Sequence, residues 1–183
     1  MTDLSSQQAL SDQIGKILPY LRRFARAITG SQQSGDRYAA AALEAILADR
    51  SVLDGVDVKT GVFRALHRIW SSAGAPVEEG ESGLKARAQH HLSRLTDNSR
   101  EALLLHTLEG FGFGQIAEII GVEQSEAEEL VAIARREMAD AIAGSVMIIE
   151  DEAIIAMDLE TIVSDMGHRV TGVARTHGEA LAL

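Results

Sequence analysis

The stretch Leu95–Ile142, LTDNSREALLLHTLEGFGFGQIAEIIGVEQSEAEELVAIARREMADAI, decides the fold. Asn98 followed three residues on by Glu101 is a capping-box-like helix start. Ala102, Leu105 and Leu108 then form one apolar stripe, and Gly110 stops the helix. A short helix follows with Ile116, Ala117 and Ile120 inward, and Gly121 makes the turn. A third helix carries Ala127, Leu130, Val131, Ala134 and Met138 at three- and four-residue spacing. A short helix, a glycine turn and a longer helix predict a helix-turn-helix.

The charge of this block contradicts the usual work of that motif. A helix that enters a DNA groove needs Lys, Arg and small polar residues outside. Here the third helix opens with Glu123, Glu126, Glu128 and Glu129, and no basic residue precedes Arg135. From His91 to Ile142 four arginines face ten Asp and Glu, a balance of −6. The expectation is a helix-turn-helix that does not bind DNA directly. Glu126, Glu128 and Glu129 are its candidate protein-binding residues.

The segment EALLLHTLEGFGFGQIAEIIGV resembles the C-terminal, promoter-reading region of extracytoplasmic-function sigma factors, and departs from it beyond Val122. Upstream, LPYLRRFARAITGSQQSGDRYAAAALEAILA resembles the N-terminal region of the same factors. In that family the second helix grips the polymerase, and aromatic and basic residues nearby melt the promoter. Capture of a single strand needs aromatic faces and a basic groove. This segment offers one aromatic, Tyr38, and little charge.

The whole chain sets wider bounds. Its 183 residues carry a net charge of −10, which disfavours nucleic acid and suits a basic protein partner. There is no cysteine, so disulfides, thiolate nucleophiles and Cys-ligated zinc are excluded. No apolar run reaches the roughly eighteen residues of a membrane span, and no basic-then-apolar leader opens the chain. A cytoplasmic protein is expected. No Ser–His–acid spacing stands out and no HExxH occurs, so a non-enzyme is expected.

Helical periodicity covers Ser5–Ile28 through Ile14, Ile17, Leu18, Leu21, Phe24, Ala25 and Ile28. Pro19 either kinks this helix or opens a new one, and Gly30 ends it. Ser34 or Asp36 is expected to cap a helix over Tyr38–Ala48. Asp57 opens another, with Val62, Phe63, Leu66, Ile69 and Trp70 inward. Ser71–Gly83 reads as a linker. Leu84–Leu95 looks helical again, and His90 and His91, adjacent in it, cannot easily ligate one metal.

After Gly144 the pattern changes. Val146–Ile149 is a continuous apolar run, as in a buried parallel strand. Glu150 and Asp151 stand at its C-terminal end. Ile154, Ile155, Met157, Leu159, Ile162 and Val163 mark a helix ending near Gly167, Arg169–Ala174 a second strand, and Glu179–Leu183 the start of another helix. This is the opening of a doubly wound sheet. Two strands would leave apolar edges open. They would be completed by a longer chain, or would pack on the helical domains or on another copy.

VMIIEDEAIIAMDLETIVSDMGHRVTGVA resembles the start of a response-regulator receiver domain. The resemblance implies a Mg²⁺ site with Glu150 and Asp151 as its metal pair, functional only in a complete receiver. It places the phospho-acceptor Asp beyond Leu183. Two sigma-like helical regions followed by a receiver are the arrangement of PhyR-type response regulators. The fold class expected is therefore mainly α, with a partial α/β receiver. The domain limits read as 1–75 for the sigma region-2-like domain, 76–90 for the linker, 91–143 for the sigma region-4-like helix-turn-helix and 144–183 for the truncated receiver. The implied function is a phosphorylation-controlled partner switch in the general stress response. A sigma-factor mimic sequesters a NepR-type anti-sigma factor, and a sensor histidine kinase feeds the full-length protein. The rival is a DNA-binding sigma factor or transcription regulator, separable by the salt dependence of promoter binding.

Overall fold

The computed structural model describes residues 2–78 and 89–183, with the side chains of the first helix from Gln8 onward. The chain divides into two compact units, Met1–Arg135 and Arg136–Leu183. The fold is mainly helical, as the sequence implies. The first unit contains α1 (Thr2–Thr29), α2 (Gln32–Ala48), a 3₁₀ turn (Arg50–Leu53), α3 (Val58–Ser72), α4 (Ser99–Thr107), α5 (Phe113–Ile120) and the start of α6 (Gln124–Ile142). Residues 89–93 are helical too; the rest of the helix expected over 84–95 falls largely outside the described residues.

The apolar stripe of α1 becomes core. Leu21, Phe24, Ala25 and Ile28 are fully buried. Pro19 lies inside the helix without ending it. Pro19 and Gly15 are both exposed, so the hydrogen bond lost at the Gly15 carbonyl falls on the solvent side, where water can replace it. Gly30, at φ +76°, closes α1 in the left-handed region, and a Cβ there would run into the Glu78 carbonyl. Ser31, not Ser34 or Asp36, caps α2, its side chain accepting from the Ser34 N–H. Ser34 is buried instead, and Asp36 binds Arg22 and Arg26 across the α1–α2 face. Gly35 lets α2 cross α1 closely: a Cβ would lie 2.6 Å from the Arg26 nitrogen. Asp57 caps α3 as expected, accepting from the Thr60 N–H at 3.0 Å. Trp70 is buried core.

Two details of the helix-turn-helix differ from the sequence reading. Asn98 sits left-handed at φ 65° and makes no side-chain cap, so no capping box forms with Glu101. Glu101 is buried and faces Arg100 instead. In α5 it is Ile119 that is fully buried beside Ile116, while Ile120 is half-buried. Periodicity fixes a helix face only to within one residue, and the neighbours decide which isoleucine is covered.

In the second unit β1 (Ser145–Ile149) and β2 (Arg169–Ala174) pair in parallel, with α7 (Ala153–Asp165) between them and α8 (His177–Ala182) after them. The register runs from Ser145 opposite Arg169 to Ile149 opposite Ala174, with one bulge between Val146 and Met147. Of the run Val146–Ile149 only Ile148 is buried, so the expectation of a buried strand fails. A parallel strand is covered only when it has neighbours on both edges and helices on both faces. Met147, Ile149, Ile154, Ile155, Met157 and Ile162 stay exposed.

Candidate functional site

The helix-turn-helix is built by α5, the turn at Gly121 and α6. Gly121 adopts φ +80°, and its N–H closes on the Ala117 carbonyl at 2.8 Å. Ala127, Leu130, Val131 and Ala134 bury one side of α6. The opposite side is thereby fixed outward, and it carries Glu126, Glu128 and Glu129, with Glu123 just before the helix, all exposed. Among the described residues none of these four makes an ion pair. The first exposed cations of α6 are Arg135 and Arg136, two to three turns further on.

The turn between α4 and α5 fastens this motif to the preceding helices. Glu109 has a fully buried carboxylate, held by two bonds from the Arg23 guanidinium of α1, Nε at 2.9 Å and Nη2 at 2.9 Å. Arg23 Nη2 also donates to the Leu108 carbonyl at 2.8 Å. Lys59 of α3 donates to the Glu109 carbonyl at 2.9 Å and stands 4.2 Å from the centre of the Phe111 ring. Phe111 packs edge-on against Phe63, which packs against Phe24. Gln115 of α5 donates to Asp57 and Thr60 at the start of α3. The bidentate Arg–carboxylate geometry and the aromatic row make the two sigma-like regions share one core.

Arg23, Lys59, Glu109 and Gln115 were not legible as a set in the sequence. They lie 36 to 92 residues apart, except for Glu109 and Gln115. The one local signal is Glu109 inside the apolar run LEGFGF, a charge that needs a partner wherever that run is buried.

Glu150 and Asp151 stand where the sequence places them, directly after β1. The Glu150 carboxylate accepts from the Glu152 N–H at 3.0 Å, and the Glu150 N–H pairs with the Ala174 carbonyl. Hard carboxylate oxygens at a strand end fit Mg²⁺ in chemistry. In number they do not: among the described residues no three His, Asp or Glu side chains converge on a common point. His90 and His91 lie in the helical residues 89–93, their rings 6.1 Å apart.

Residues 14–67 match the family described as the Sigma2 domain of PhyR, and residues 92–141 the family described as the response regulator PhyR, sigma-like domain. The phyllosphere-induced regulator PhyR of Methylorubrum extorquens is 43% identical over 167 residues, 91% of this chain. The chain spans 62% of the length of that curated relative. The anti-anti-sigma factor PhyR of Bartonella quintana, solved in complex with the anti-sigma factor NepR, is 40% identical with a TM-score of 0.78. That match covers 94% of this chain and 67% of the other. The sigma factor RpoE in complex with NepR from Bartonella quintana shares the fold alone. Its TM-score is 0.63 at 18% identity, over 74% of this chain and 97% of the other.

Proposed function

The chain belongs to the PhyR family of response regulators, and from that premise we propose that it acts as a sigma-factor mimic that sequesters an anti-sigma factor of the NepR type. The observation that carries this reading is an intact helix-turn-helix scaffold with an acidic, exposed recognition face. A sigma factor of the same fold and a PhyR protein are both solved with NepR. Retaining the fold keeps the surface an anti-sigma factor recognises. Reversing the charge removes the phosphate contacts that would draw the protein to DNA. Sequestering the anti-sigma factor frees the true sigma factor to transcribe stress-response genes.

Control would come from the receiver-like segment. In the longer proteins of the family a sensor histidine kinase would supply the phosphate. Glu150 and Asp151 would then be two of the oxygen donors to a Mg²⁺ ion. Two carboxylates alone do not make its site, which would need further donors.

The test is a calorimetric titration of the 183-residue chain with NepR of Bartonella quintana, followed by competition against the NepR–RpoE complex. The expected result is one-to-one binding at about micromolar Kd or tighter, with RpoE displaced. No binding to NepR, together with promoter-duplex binding that falls steeply with salt, would replace this reading with the DNA-binding one.

A further inference from the structure

The side of α1 opposite its buried stripe is cationic. Leu21, Phe24, Ala25 and Ile28 turn one side of the helix into the core. Pro19, Arg22, Arg23 and Arg26, at i, i+3, i+4 and i+7, share the other side. They line a shallow recess of about 390 Å³ in the first unit. That volume lies within the range of small-ligand sites, about 300–1,000 Å³.

Each guanidinium is held in a fixed direction. Arg22 donates from Nε and Nη2 to the two oxygens of Asp36, at 3.0 and 2.8 Å. Arg26 approaches the same carboxylate through the same two nitrogens, at 3.0 to 3.2 Å. Arg23 gives Nε and Nη2 to Glu109 and lies over the Tyr20 ring, 5.2 Å from its centre. One edge of every fork is thus committed to a carboxylate. The third nitrogen, Nη1, makes no hydrogen bond to the described residues in any of the three. The side chains are 36–47% exposed, and none of their nitrogens is among the buried unpaired atoms, so a ligand can reach them from solvent.

Charge is left over on this face. Asp36 serves two arginines and Glu109 one, so three guanidiniums meet two carboxylates, a balance of +1 in a chain of net −10. Like charges four residues apart on a helix repel, as Arg22 and Arg26 do, and an anion beside them relieves that repulsion. Every polar side chain lining the recess is a donor, so its ligand must offer acceptors alone. A carboxylate offers two oxygens and one charge, and a phosphodiester two free oxygens and one charge. A phosphomonoester offers three free oxygens and a charge of about −1.5 to −2, which suits three guanidiniums best.

We propose that the arginine face of α1 is a binding site for a phosphomonoester, whose terminal oxygens accept from Arg22, Arg23 and Arg26. The site lies on a different helix from the acidic face of α6 and does not depend on the sigma-mimic reading. The phosphoryl group belongs either to a small molecule or to a phosphorylated side chain of a polypeptide, and the test separates the two.

The intact 183-residue chain would be titrated with methyl phosphate, dimethyl phosphate and acetate at constant chloride, at a pH above the second phosphate pKa of about 6. Calorimetry gives the affinities, and nuclear magnetic resonance follows the three arginine Nε–H signals. The expected result is saturable binding of methyl phosphate at about millimolar Kd or tighter, with those signals moved. Dimethyl phosphate and acetate should bind more weakly by about tenfold or more. Arg22→Gln and Arg26→Gln should each weaken methyl phosphate binding by about tenfold. Asp36 keeps one arginine in either variant, and amide spectra matching the parent would show the fold retained. A second arm uses acetyl-Gly-phosphoserine-Gly-amide. Tighter binding of this peptide than of methyl phosphate assigns the site to a phosphorylated side chain, and the reverse assigns it to a small molecule. No saturation by either monoester, equal binding of acetate or dimethyl phosphate, or undiminished binding in the Arg22→Gln, Arg26→Gln double variant would overturn the proposal.

Discussion

The unit Met1–Arg135 covers most of its large apolar residues, with Leu47 an exception, whereas the unit Arg136–Leu183 buries Ile148 and leaves most of its others open. In the first, Phe24, Phe63 and Phe111 form a row whose three rings are at most 2% exposed. In the second, Ile154 is 76% exposed, Met157 66% and Ile162 54%. Composition does not explain the difference, because both segments are rich in Ile, Leu and Val. The number of layers does. Helices of the first unit face one another on several sides, so each stripe finds a partner. Two parallel strands and the helix joining them make one sheet face and two open edges, and the remaining apolar surface has nothing to meet. A hydrophobic pattern states what a segment would bury; burial itself needs a second surface.

Mutations at matched apolar positions should separate the units most sharply. Phe63→Ala removes the middle ring of the row and should cost about 3–5 kcal/mol. Ile154→Ala and Met157→Ala should each change stability by less than about 0.5 kcal/mol. Urea unfolding followed through Trp70 would measure the first, and amide exchange in α7 the other two. A loss of more than 2 kcal/mol (about four times that bound) for either second-unit variant would mean that these faces are covered in solution.

The clamp on the α4–α5 turn comes next. Arg23→Met leaves the Glu109 carboxylate buried without its main countercharge, at about 3 kcal/mol, near the lower end for a broken buried pair because Arg23 is half exposed. Lys59 remains close by on the Glu109 carbonyl. Equilibrium unfolding of Arg23→Met, and of the double variant with Glu109→Gln, checks this. The double variant should recover part of the loss, since a neutral amide is cheaper to bury than a lone carboxylate.

A smaller effect is expected from pH. Burial lowers the His67 pKa in the folded chain below the ordinary 6.5. The unfolded chain therefore binds the proton first, and stability present above 6.5 falls as pH drops toward the folded value. His67→Gln should flatten that part of the stability–pH curve. Asp36 acts in the same sense at lower pH. The Arg22 and Arg26 guanidiniums pull it down to about 2, so its contribution is present above 3.8 and lost as pH falls through that range. A chain equally stable from neutral to mildly acidic pH would show that His67 is hydrated.

The smallest effect on the fold is expected at the face proposed to meet partners. Changing Glu126, Glu128 and Glu129 together to Lys should leave unfolding unchanged, since all three are exposed. Binding of a basic partner should weaken by about 0–1 kcal/mol per lost exposed pair. Non-specific DNA binding should rise, with a salt slope that the parent chain lacks. Gel shifts at low and moderate salt, alongside calorimetry, read both; no change in either would make this face solvated surface only.

By itself the sequence determined the helices and strands, the helix-turn-helix, the sigma-like and receiver-like order of parts, and the acidic face of α6. Each of these is local: a period of 3.6, a glycine at a turn, a run of glutamates, or a motif within one segment. The tertiary structure alone decided which cap closes α2, that Asn98 does not cap α4, and that Ile119 rather than Ile120 faces inward. It alone brought Arg23 and Lys59 to Glu109, and left Arg100 and Glu101 half paired beside Trp70. Those outcomes depend on which surfaces meet across tens of residues. A charge is buried or exposed, paired or unpaired, only once its neighbours in space are fixed, and periodicity along the chain does not carry that information.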